Sequence, residues 1–150
     1  MTRRVARELA VRLCFELSAT GKDPQEILSN FFDEDYYATL ALEDEVFSKY
    51  PDERERNYIS ALVLGIGLHW AELDGYVEKY SSGWRFERIS RTALAIMKTA
   101  MYEILYMPDI PVGVSINEAV ELAKEYEEPE TVPFINGVLG SFARGETVQE

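Results

Sequence analysis

Few residues in this chain have the chemistry to cut or form bonds: it holds one cysteine, Cys14, and one histidine, His69, 55 positions apart. A thiol nucleophile needs a base and an orienting partner. Cys14 instead sits at a helical apolar spacing, as a small buried hydrophobe does. His69 follows an apolar run and reads as a packing or boundary residue. Carboxylate-bridged di-metal sites in helical bundles place a glutamate three residues before the histidine; here that position is Ile66, so no metal site is expected. There is no glycine-rich phosphate loop, no Cys-x-x-Cys pair and no calcium loop. The expectation is a protein that is not an enzyme and carries no cofactor.

What the residue types do support is recognition of an anion. Arg3, Arg4, Arg7 and Arg12 stand against Glu8 within the first twelve residues. At 100° per residue, Arg3, Arg7 and Arg4 fall within roughly a 100° arc of one helix. Guanidinium groups suit phosphates and stack on bases. Phe15 lies angularly close to Arg4 and offers a surface for an unstacked base, or else a core side chain. Arg12 follows Glu8 by four residues and precedes Glu16 by four, which also suits surface ion pairs.

These residues must be positioned by a body of opposite charge. The chain has 150 residues, 47% hydrophobic and 28% charged, with a net charge of −12. That length and composition fit one globular domain, residues 1–150, with its own core. An acidic chain repels a polyanion on average, so nucleic-acid binding has to come from a local basic arm. The lone cysteine argues against a disulfide scaffold and favours the cytoplasm. The start lacks the continuous apolar stretch of a signal peptide, and the run from Ile59 to Trp70 is too short to span a bilayer, so no membrane association is expected. Monomer and homodimer fit equally well.

The periodicity is helical throughout, which predicts an all-α fold. Val5, Leu9, Leu13 and Leu17 recur every four residues, and Gly21 should end the first helix. Asp23 can cap a second helix with Pro24 at its first position. From Asp33 a helix is expected to about Lys49, with a break at Pro51. A long helix should run from about Arg54 to Tyr80, tolerating Gly65 and Gly67 through close packing. Another should run from about Phe86 to Tyr106. Ser115 with Glu118 forms a candidate capping box, and a last helix is expected from Thr131 or Val132 to about Ala143.

The blocks Met101–Leu105, Asp109-Ile110-Pro111, Ile116–Lys124 and Phe134-Ile135-Asn136-Gly137-Val138-Leu139 resemble the NusB family. So do the opening Ala6-Arg7-Glu8, Leu73-Asp74-Gly75, and Trp84 with Glu87-Arg88-Ile89. The resemblance implies about seven helices in two packed subbundles. It also implies an antitermination factor that binds boxA RNA jointly with the ribosomal protein NusE, alongside other Nus factors and RNA polymerase. Phe134 is placed by it at the RNA-facing end, with Arg3, Arg4, Arg7, Arg12 and Phe15. Glu87, Glu127, Glu128 and Glu130 become candidates for facing a basic partner. Ala93, Leu94 and Lys98 depart from the family's usual acidic, basic and arginine residues at those positions. The competing readings are an acidic helical adaptor that binds protein without RNA, and a small helical hydrolase.

Overall fold

The computed structural model describes residues 1–147. Among these the regular elements are all helical: α1 (Arg3–Thr20), α2 (Pro24–Phe31), α3 (Glu34–Leu40), α4 (Glu53–Leu68), α5 (Trp70–Tyr80), α6 (Arg91–Tyr106), α7 (Val112–Tyr126) and α8 (Thr131–Glu146), with short 3-10 turns at Glu45–Phe47 and Phe86–Arg88. The all-α expectation therefore holds, with eight α-helices rather than about seven. The chain divides into two compact units, Met1–Gly67 and a second from Leu68 onward. No helix among the described residues is long and apolar enough to cross a membrane.

The first unit begins as its local signals dictate. Thr2 accepts the Val5 N–H at the start of α1, and Gly21 ends it in the left-handed conformation, φ 68°. Asp23 accepts the Gln25 N–H, with Pro24 at the first position of α2. Leu9, Leu13, Ile27, Ile59, Leu62 and Ile66 are buried in its core. Gly67 is where α4 meets α2: a Cβ there would lie 2.6 Å from Pro24 Cγ. The close packing expected around the α4 glycines is real at this point.

The expected helix from Asp33 to Lys49 is mostly absent. Asp33 does cap α3, accepting from Tyr36 N–H, but the helix ends after seven residues. Asp44 then caps the 3-10 turn that carries Phe47. Tyr37 explains the departure, because it packs edge-on against Phe31, Phe47 and Tyr50 at centroid distances of 5.2–5.8 Å. The rings gather into a cluster that one straight helix would spread out. At the next segment Asp52 and Glu55 exchange backbone hydrogen bonds of 2.7 and 2.8 Å, a capping box that starts α4.

In the second unit, α6 packs against α5, α7 and α8, and α8 packs against α5 and α7. Ile96, Met97, Met101, Ile135 and Phe142 are fully buried there. Lys98 is buried as well, at 2% exposure. Its ammonium pairs with Asp74 and lies 3.3 Å from the Trp70 ring centroid. Cutting Asp74 back to Ala costs on the order of 3 kcal/mol, as removing one partner of a buried charge does.

Three expectations about helix ends are corrected here. The long helix from Arg54 to Tyr80 is interrupted at His69, whose φ −102°, ψ 24° leaves the helical region and starts α5 at Trp70. The helix expected from Phe86 starts at Arg91, because Ser90 accepts the Ala93 N–H and fixes the end there. Ser115 is not a cap: α7 begins one turn earlier, after Pro111, whose fixed φ suits a helix start. Ser115 is buried inside that first turn, and its hydroxyl has no hydrogen-bond partner among the described residues.

Candidate nucleic-acid interface

Helix α1 presents the expected arginines, but not all in the same way. Arg3 and Arg4 are exposed. Arg3 lays its guanidinium over the ring of Tyr58 on α4, 4.0 Å from the centroid. Arg7 is buried at 3% exposure and approaches the same ring at 5.9 Å. The arc drawn from the helical period is correct, yet its inner edge faces α4. Arg7 therefore reads as a support that holds Tyr58 under Arg3.

Arg12 is tied down within the first unit. Its Nη2 lies 2.9 Å from Asp44 and 3.6 Å from Glu8, and its guanidinium covers Phe47 at 5.3 Å. The hydrogen bond from the Val46 backbone and the one from Arg12 hold the Asp44 carboxyl below its ordinary range. Glu8 is the ion-pair partner read from the spacing, and Asp44 is an added one. Phe15 is 40% exposed, which removes the core reading of this residue. It shares a face with Arg4, about 16 Å away at 1.5 Å per residue.

Phe134 belongs to the second unit, in the first turn of α8. Its ring stacks on Trp84 at 4.3 Å and 26°. Trp84 is 39% exposed and lines an open hollow of about 670 Å³ together with Gly83, Arg85 and Arg88. Gly83 makes the turn with φ 82°, and both arginines are exposed. Trp84, Arg85 and Arg88 were not singled out as site residues from sequence. The signal was present, however: an indole followed closely by two arginines directly after a Ser-Ser-Gly turn.

The acidic candidates gather at one end of the second unit. Ser90, the cap of α6, donates to Glu127 Oε1 at 2.5 Å, which ties the turn after α7 to the start of α6. Glu128 and Glu130 on that turn are exposed, as is Glu87 on the 3-10 turn three residues before Ser90. His69 is held by its neighbours within the second unit. Its Nδ1 lies 2.8 Å from Glu72 Oε2, and its ring stacks on Tyr106 at 4.4 Å. Burial raises the Glu72 pKa, but hydrogen bonds from His69 and Tyr106 outweigh it and hold the carboxyl below its ordinary range.

The family model described as the NusB family matches residues 4–144. The chain belongs to the NusB family. It is 38% identical over 150 residues to the transcription antitermination protein NusB of Ruminiclostridium cellulolyticum, covering 100% of this chain and 94% of that one. It is 40% identical over 144 residues to the protein of the same name from Acetivibrio thermocellus, covering 96% and 90%. Among solved structures, NusB from T. maritima superposes with a TM-score of 0.78 at 26% identity, over 96% of this chain and 92% of that one. The NusB family is non-enzymatic, which sets the hydrolase reading aside.

Proposed function

We propose that this NusB-family chain acts in transcription antitermination by binding boxA RNA jointly with the ribosomal protein NusE, within a complex that includes other Nus factors and RNA polymerase. The observation that carries the reading is that each unit pairs an exposed aromatic face with exposed arginines on a chain of net charge −12. In the first unit these are Phe15 with Arg3 and Arg4; in the second, Trp84 and Phe134 with Arg85 and Arg88. A stacked base contributes about 1–3 kcal/mol whatever its sequence, and arginine supplies the phosphate contacts. Arg7 and Arg12 contribute by fixing Tyr58 and Phe47. On the second unit, Glu87, Glu127, Glu128 and Glu130 form the surface offered to the basic ribosomal partner, where complementary charge speeds encounter.

The test is RNA titration of the full chain, with and without purified NusE, at several salt concentrations. Near 0.1 M salt each lost phosphate contact weakens binding by about tenfold and lowers the salt slope by about one. Replacing Arg3 and Arg4 together by Ala is therefore expected to cost roughly a hundredfold. Trp84→Ala should weaken binding with little change in slope. Unchanged affinity and slope in the Arg3, Arg4 variant, with helical circular dichroism intact, would overturn the RNA surface on α1.

A further inference from the structure

A second surface of the first unit points to a ligand of the opposite charge. Tyr37, Phe47 and Tyr50 line a cleft of about 420 Å³, walled by Ala38 and Ala41 and edged by Glu34. The rings are held in place: the Tyr37 hydroxyl donates to the Lys49 carbonyl at 2.9 Å and the Tyr50 hydroxyl to the Phe32 carbonyl at 2.7 Å. The segment that builds the cleft, residues 33–55, carries nine acidic side chains against two basic ones. It therefore holds seven of the chain's twelve excess negative charges.

We infer that this cleft docks an arginine-bearing segment of a protein partner, with the guanidinium laid against the half-buried Phe47 and Tyr50 rings above the buried Tyr37, and paired to Glu34 at the cleft edge and to Glu45, exposed on the 3-10 turn that carries Phe47. The chain already shows the arrangement with its own side chains. Arg12 lies over Phe47 while paired to Asp44 at 2.9 Å, and Arg56 lies over Tyr50 at 5.4 Å. A planar guanidinium stacks and pairs at once, which an ammonium does less well, so arginine is favoured over lysine. The charge excludes a phosphate backbone. The volume is at the small end of ligand sites, roughly 300–1,000 Å³, so it admits side chains from a chain passing over it. Beside it, Tyr36 is 50% and Leu42 90% exposed, which gives such a chain apolar anchors. The inference does not rest on the RNA reading, which concerns other residues.

The experiment uses the full-length protein and three labelled synthetic peptides of equal length, alternating serine with arginine, lysine or glutamate, followed by fluorescence anisotropy and amide chemical shifts. The expected result is binding in the order arginine, lysine, glutamate, with shifts centred on Ala38, Ala41 and Ser48. Glu34→Lys with Glu45→Lys should weaken the arginine peptide by at least about tenfold, the weight of a stacked and paired cation. Glu26→Lys with Glu125→Lys, which changes net charge equally at exposed sites elsewhere, should have much less effect. Ala38→Arg should fill the cleft from within and compete with the peptide. Equal weakening by both charge pairs, or undiminished binding to Ala38→Arg, overturns the proposal. So do cleft shifts produced by boxA RNA rather than peptide, or a homodimer that Ala38→Arg converts to monomer.

Discussion

Two aromatic surfaces of the first unit use the same parts in opposite proportion. On α1, arginines outnumber carboxylates and one ring, Tyr58, supports a guanidinium that faces outward. Around α3, carboxylates outnumber cations and a cluster of rings leaves its own cleft open. A ring face attracts a cation on either surface, and both carry the chain's own arginines; the surrounding charge decides whether the surface then suits an anion or a further cation. Ring positions alone therefore do not name a binding partner, and a net charge of −12 does not deny this chain a nucleic acid.

The largest test of that contrast is Tyr58→Ala. Losing a buried ring costs about 3 kcal/mol of stability, read from urea denaturation. At temperatures where the variant stays folded, it should also weaken RNA binding while leaving affinity for the arginine peptide unchanged. Equal loss of both would show that the surfaces are not independent.

On the acidic side, the Tyr37 hydroxyl is pushed up to about 12 by burial, with Glu55 and Tyr50 adding to it. Unfolding returns it to about 10. Its contribution to stability is therefore complete below pH 10 and is lost as pH rises toward 12. Tyr37→Phe should flatten that alkaline limb in denaturation measured across the window. An unchanged limb would assign the effect to other tyrosines.

The smallest expected effect joins the two surfaces. Arg12→Ala removes the guanidinium from both Phe47 and Asp44, so the Asp44 pKa should rise toward its ordinary value, with the Val46 N–H still holding part of the shift. The wild-type carboxylate contributes stability above its unfolded pKa and loses it as pH falls through the lower folded value. That acid limb should shrink in the variant. A carbon-detected titration of Asp44 that does not move would show that the backbone bond alone holds it.

Local rules carried much of this structure. Gly21, Asp23 and Pro24 marked their helix ends because each acts on its own backbone within a turn. The failures came where distant groups decide. The nearby glycines, Gly65 and Gly67, lie inside α4 and neither Gly nor Pro stands at residue 69 itself; His69 departs from the helix beside Glu72 and Tyr106. The cap at Ser90 was hidden because Phe86 and Ile89 extended the apolar period across it. On α1 the wheel placed Arg3, Arg4 and Arg7 together but could not tell which one faced Tyr58, a neighbour supplied only by the fold. Trp84 and Phe134 were both visible in sequence, but their stacking was not.

The contact between Gly67 and Pro24 also bears on how this chain can change. A glycine inside a helix ordinarily invites alanine, which gains up to about 1 kcal/mol. Here the new methyl would meet the proline ring, so the same step distorts the start of α2. The two positions are epistatic: an alanine at 67 becomes acceptable only after residue 24 has given up its ring, and the order of those changes decides whether a lineage, or an engineer, can make them.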